Sequence, residues 1–219
     1  MTKIAMTGEI VSDEWSEIYD FFGIKNVSPG KVRKALEDAE GKDVVLEVNS
    51  PGGDVNAGSE IYYVINEYTG KTRADITGFA GSAATFAIMS SDKIRMTPSA
   101  LFMIHDTSIS AFGNADDLRK HAGLLETADN GIADAYVEKT GLDKDFILEL
   151  MHEETWMNAA DALDYGFVDE VISPERLVDG YGLIDEIERE DMKNRYFAEK
   201  AKNKAKAKLK LLKLRSDKK

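Results

Sequence analysis

Two residues of this chain could together hydrolyse an acyl bond: Ser82 and His105. A serine hydroxyl attacks a carbonyl effectively when a base takes its proton, a carboxylate orients that base, and donors receive the oxyanion. Ser82 lies in Gly78-Phe-Ala-Gly-Ser-Ala-Ala-Thr-Phe-Ala-Ile-Met89, where an extended run meets a turn of small residues and then an apolar helical run. A hydroxyl at such a strand-to-helix turn can sit exposed at a helix N-terminus. Backbone N–H groups and the positive end of the helix dipole there favour a developing anion, and the small neighbours let a substrate backbone come close. His105 follows the apolar run 100–104 and is the best-placed base of the three histidines; His121, within a long helical stretch, and His152, beside Glu153 and Glu154, read as surface residues. Glu154 is the candidate orienting carboxylate, although acids are too numerous for spacing alone to select it.

A second interruption is Asn49-Ser-Pro-Gly-Gly-Asp54. Pro51 pushes Ser50 toward an extended backbone, while Gly52 and Gly53 permit geometry closed to other residues. The stretch reads either as an ordinary strand-to-helix turn or as a loop whose glycine N–H, free of any strand ladder, points at a ligand. The chain has no cysteine, which excludes disulfides, thiolate metal sites and a cysteine nucleophile. The motifs call for no metal and no cofactor.

Stepping outward, these residues need strands that end together. Residues 4–11 alternate loosely as a first strand, followed by a polar-aromatic turn holding Trp15, Tyr19, Phe21 and Phe22. Ser28-Pro29 predicts an N-cap and a helix over 29–40. Strands are expected at 44–48, 73–79, 93–96 and 100–104, with a helix after Asp54 carrying Val55, Ile61, Tyr62, Ile65 and Tyr68 on one face. Asn114 caps a long helix to about Lys139, stopped by Gly141. A second helix spans 143–151, a short one follows Asn158, and 167–172 is the last strand candidate. Such alternation implies parallel strands with right-handed crossovers, whose active groups gather at one end of the sheet. Ser82 and His105 both lie just beyond expected strand ends.

At 219 residues and 43% hydrophobic content the chain suits one globular domain with an appendage. No apolar run approaches a membrane span, and the N-terminus leads into no signal-peptide core, so a cytoplasmic location is expected. The net charge of −12 is uneven: from Met192 onward there are twelve Lys or Arg against two acids, leaving an acidic body with a basic arm. We expect a domain over 1–185 and a charged tail over 186–219, helical or disordered and basic from about 193. Phe197, Ala201, Ala205, Leu209 and Leu212 share one helical face of that tail, which could contact an acidic protein or nucleic acid.

Asn49-Ser-Pro-Gly-Gly-Asp-Val55, Gly81-Ser-Ala-Ala84 and Met103-Ile-His105 resemble the Clp protease family of serine peptidases. Gly113-Asn-Ala-Asp-Asp-Leu-Arg-Lys120, Glu154-Thr-Trp-Met157 and Ala162-Leu-Asp-Tyr-Gly-Phe-Val-Asp169 are similar to its bacteriophage branch, the Clp-like head maturation (prohead) proteases. The resemblance runs in order over about residues 2–175. It implies an α/β Clp/crotonase-type superhelix of repeated β-β-α units, with a protruding handle helix over about 114–139. It makes Ser82 the nucleophile and His105 the general base. Glu154 falls at the position of the triad carboxylate, with Asp106 and Asp169 as fallbacks. The backbone N–H groups of Gly53 and Ala83 become the oxyanion donors, and Pro51 and Gly52 shape the loop that receives the substrate strand. The implied partners are a protein or peptide substrate, such as a capsid or scaffold precursor in the host cytoplasm or prohead, and further copies of the chain in a ring or stacked double ring. No phosphate-binding loop is present, so an ATP-independent serine endopeptidase is expected. The alternatives are a degradation subunit working with a separate unfoldase, a crotonase-type acyl-CoA enzyme, and a non-catalytic assembly protein.

Overall fold

Met6, Leu46, Ile76, Ile94 and Phe102, one from each of five strands, are fully buried and mark the sheet around which the chain wraps. The structure, a computed structural model, describes residues 1–172, all within one compact unit. The expected boundary at 185 and the charged tail over 186–219 lie outside the described residues. In chain order the elements are β1 (Thr2–Thr7), β2 (Glu9–Ile10), α1 (Asp13–Phe21), β3 (Asn26–Val27), α2 (Pro29–Asp38), β4 (Val44–Ser50), α3 (Val55–Asn66), β5 (Thr72–Gly81) and α4 (Ala83–Ala87). There follow β6 (Lys93–Met96), β7 (Leu101–Ile104), α5 (Ala115–Thr140), α6 (Lys144–His152), β8 (Thr155–Met157), α7 (Ala159–Asp164) and β9 (Glu170–Val171).

The main sheet runs β1-β4-β5-β6-β9, all parallel, as the mostly apolar strands and intervening helices require. β5 is long enough to fork: Arg73–Ile76 pairs with β6, whereas Phe79–Gly81 pairs with β7. A register shift in β4 between Val48 and Ser50 accompanies the bend. This fork brings the end of β5 and the end of β7 side by side, and those ends carry Ser82 and His105.

Helix starts follow their caps. Ser28, Asp54, Asn114, Asp143 and Asn158 each accept a backbone N–H of the first turn. α5 spans 26 residues, about 39 Å at 1.5 Å per residue, yet buries only Ala133 and Tyr136 near its C-terminal end. Its N-terminal part leaves Leu118 and Leu124 exposed.

Three expectations differ from the structure. The aromatic turn at residues 13–21 is helix α1, capped by Ser12, whose Oγ accepts from Trp15 N. Residues 155–157 form β8, which runs antiparallel to β7 rather than joining a wholly parallel sheet. The helix behind Ser82 has only five residues, so its dipole is small. Any oxyanion stabilisation there must come from individual N–H groups.

Candidate active site

The reaction centre is set by the backbone at Ser82. β5 delivers the residue, Ser82 N donates to Met103 O of β7 at 2.9 Å, and α4 begins at Ala83. Ser82 itself is held at φ 52°, a conformation that costs a non-glycine residue on the order of 1 kcal/mol or more. What holds it is a relay from α5. Thr85 Oγ1 donates to Ser82 O at 2.5 Å, and its remaining acceptor position takes the Tyr136 hydroxyl at 2.6 Å. Tyr136 is buried, and that burial pushes its pKa well above the usual tyrosine value, keeping the hydroxyl a neutral donor.

His105 Nε2 lies 2.7 Å from Ser82 Oγ. For Nε2 to accept the serine proton, the imidazole hydrogen must sit on Nδ1, where a carboxylate is the fitting partner. None of the three candidate carboxylates bonds to His105 here. Glu154 Oε1 accepts from Trp156 Nε1 at 3.1 Å. Asp106 Oδ2 is 3.0 Å from His152 Nδ1, and that bond raises the exposed His152 above its usual pKa. Asp169 accepts from Lys139 Nζ and from Ile94 N, tying the end of α5 to β6. Of the three, Glu154 adjoins the β7–β8 ladder, whose last pair, Ile104 with Thr155, immediately precedes His105 on one strand and follows Glu154 on the other. Glu154 also holds a positive φ of 51°, fixed by its N–H on Met151 O.

The loop after β4 passes beside Ser82. Gly52 has φ 93°, and a Cβ there would lie 2.8 Å from Ala83 N and 2.5 Å from Gly81 O, so only glycine lets the loop pass beside the serine. Ile10 N donates to Gly52 O, and Asp54 N donates to Ile10 O, each at 2.8 Å. This parallel bridge engages the groups on either side of Gly53 and turns Gly53's own N–H to the opposite side. The N–H of Ala83 opens α4 and has no intrahelical acceptor. Gly53, Ser82, Ala83 and His105 line one cleft of about 60 Å³. Pro51 leads the chain into this turn but is not among the cleft's lining residues.

The structure adds residues that sequence spacing did not single out. Thr107 and Ser108 line the cleft beyond His105, and Thr107 N donates to Asp129 Oδ1 of α5 at 2.6 Å. Val55, Phe86 and Ile132 line it on the other side and also line a cavity of about 460 Å³ between α3, α4 and α5, whose walls carry Asp134 and Glu138 as well. These are contributions of distant segments, and no local motif marks them. Among the described residues no cluster of three or more His, Asp or Glu is placed to hold a metal ion, and no helix is long and apolar enough to cross a membrane.

The arrangement sets a histidine ring against a serine hydroxyl in a cleft that Gly53 and Ala83 also line, and known proteins are similar in sequence. The Clp protease family pattern matches residues 34–175. The ATP-dependent Clp protease proteolytic subunit 1 of Chlamydia abortus is 33% identical over 136 residues, covering 60% of this chain and 71% of that protein. The protein of the same name from Leifsonia xyli subsp. xyli is 31% identical over 150 residues, covering 68% of this chain and 76% of its own length. The chain belongs to the Clp protease family.

Proposed function

We propose that this protein is a serine endopeptidase that cleaves peptide bonds through an acyl-enzyme on Ser82. The observation that carries the reading is the 2.7 Å contact of His105 Nε2 with Ser82 Oγ, in a cleft also lined by Gly53 and Ala83. Ser82 Oγ attacks the scissile carbonyl while Nε2 takes its proton. The oxyanion settles on the N–H groups of Gly53 and Ala83. Nε2 then protonates the leaving amine, and a water activated by the same nitrogen hydrolyses the ester and restores Ser82. Glu154 is the positioning carboxylate, swinging from Trp156 to His105 Nδ1 as the site fills. Val55, Phe86 and Ile132 favour an apolar substrate side chain next to the scissile bond.

The repeated strand-and-helix units are read as the Clp/crotonase-type superhelix, and α5 as its handle. Exposed Phe112, Leu118 and Leu124 in and before α5 support self-association into a ring. For the substrate we favour a capsid or scaffold precursor, on the strength of the motifs around Gly113, Glu154 and Ala162. A degradation subunit served by a separate unfoldase is the second reading, favoured by the name of the relatives, ATP-dependent Clp protease proteolytic subunit.

The purified full chain, incubated without nucleotide with a capsid precursor and separately with unfolded casein, distinguishes these readings, with Ser82→Ala as the blank. Cuts at a few fixed sites in the precursor support processing. Cuts in casein alone support the degradation reading. If neither protein is cut in a Ser82-dependent way, the peptidase assignment fails.

A further inference from the structure

A second cavity, of about 480 Å³, opens on the other flank of the reaction cleft. It shares Gly53, Val55 and Ser108 with the cleft, and its far wall is α1 with the two-residue strand β2. Like the first cavity, which Asp134 and Glu138 line, it combines apolar walls with two carboxylates, but of the two it alone is lined by a tryptophan. Ile10, Val11, Val55, Ile109 and Trp15 give it greasy walls, while Glu9 and Asp54 place two carboxylates on it. Among the described lining residues there is no Lys or Arg.

Both acids are fixed at one oxygen and open at the other. Glu9 Oε2 accepts from the Tyr19 hydroxyl at 2.8 Å, and Asp54 Oδ1 accepts from Ala57 N at 2.8 Å. Among the described residues, no hydrogen bond occupies Glu9 Oε1 or Asp54 Oδ2. Trp15 stands 56% exposed at the wall, with Tyr19 edge-on to its ring at 6.3 Å. An apolar channel with an aromatic face and two carboxylates suits a side chain that is aliphatic along its stem and cationic at its tip.

We infer that this cavity is a substrate subsite for a lysine or arginine side chain, held by Glu9 and Trp15 at one fixed position relative to the scissile bond. The inference rests on the peptidase reading. It follows from placement: a peptide whose carbonyl oxygen lies on the Gly53 N–H must run past the mouth of the cavity, because Gly53 lines both spaces. The stem of the side chain covers Ile109 and the Trp15 ring, and its charge reaches Glu9 Oε1. α1 therefore serves recognition: it buries only Ser16 and keeps its aromatic side chains at the surface. The acidic body of the chain favours approach of basic segments, and the subsite turns that bias into a choice of bond.

The test uses the full chain and reduced, unfolded casein, with cut sites mapped by mass spectrometry for wild type, Glu9→Gln and Glu9→Lys, and Ser82→Ala as the blank. Glutamine keeps an acceptor for Tyr19 while removing the charge. The expected result is Lys and Arg enriched at one position near wild-type cuts, weakened roughly fivefold in Glu9→Gln, the size of one partly exposed ion pair with a ring contact. In Glu9→Lys the preference should turn toward Asp and Glu at that position. Because the profile compares sites within one digest, it does not depend on the overall rate. Ser82-dependent cuts with no basic enrichment, or with enrichment unchanged in Glu9→Gln, overturn the subsite and leave the peptidase standing. No Ser82-dependent cut in the wild type overturns the peptidase reading, and the subsite with it.

Discussion

Gly53 is the residue at which backbone geometry and proposed chemistry are least separable. It lines the cleft with a φ of 147° and is bridged to Ile10, and a Cβ would come within 2.1 Å of Ile10 O. Gly53→Ala must push the loop off Ile10 and swing the proposed donor N–H away. We expect turnover to fall by about 10²–10³-fold, the cost of losing one oxyanion donor, with far-ultraviolet circular dichroism unchanged. Glu154 gives the complementary prediction. Glu154→Gln keeps the side chain's size and its acceptor for Trp156 but loses the charge that stabilises a protonated His105. Turnover of the variant should drop at least roughly tenfold, by less than removal of His105. Equal rates for wild type and Glu154→Gln would place the carboxylate elsewhere. Ser82 and His105, which the sequence sets just beyond expected strand ends, do come into contact, whereas spacing could not select Glu154 among the acids and its carboxylate bonds Trp156 instead. The relay Tyr136–Thr85–Ser82 was not legible in the sequence, because it joins residues 51 apart whose hydroxyls meet only after α5 packs on α4.

At the scale of elements, β5 does most of the positioning, and its other face carries a charge cluster that steadies it. Asp75 in β5 receives two bonds from Arg73 and two from Arg95 of β6, all within 3.1 Å, and Glu170 of β9 extends the network to Arg95 and Lys93. Burial pushes the Asp75 carboxyl up, but the two arginines outweigh that and hold it below the usual carboxylate range. A lowered pKa in the folded state means that this stabilisation is complete above the unfolded value of about 3.9 and is lost as pH falls through the folded value. Asp75→Asn should therefore cost about 2 kcal/mol near neutral pH by urea unfolding. The gap between wild type and variant should close as the pH falls below the ordinary carboxylate range. A gap that persists in acid would mean that packing, not charge, holds the strands.

The elements also show why parts of the fold were hidden in the sequence. The caps Ser28, Asn114 and Asn158 foretold the helices at Pro29, Ala115 and Ala159, and those at Val55 and Lys144 were also expected to within a residue or two. α1 escaped notice although Ser12 caps it and Asp13 and Glu14 fill its first turn. Its large apolar residues Trp15, Ile18 and Phe21 are exposed, so the sequence shows no core-facing stripe there. β8 is three residues long and exists through its pairing with β7, a tertiary contact with no local signature. The fork in β5 is of the same kind.

For the molecule as a whole, α5 is the feature that a lone subunit does not explain. Phe112 is 95% exposed and Leu124 60% exposed, a surface that water penalises and a second copy would cover. Sedimentation velocity of the full chain should show an oligomer, and Leu124→Asp should shift it toward smaller species. A wild-type monomer at micromolar concentration would contradict the ring. The proposed peptidase activity requires an activated Ser82, and the most direct measurement is intact-mass spectrometry after treatment with a fluorophosphonate. Wild type should gain a single adduct mapped to Ser82. Ser82→Ala should gain none, and His105→Ala should label at least about 10³-fold more slowly. A folded, oligomeric wild type that takes no adduct, or that labels no faster than His105→Ala, would contradict it.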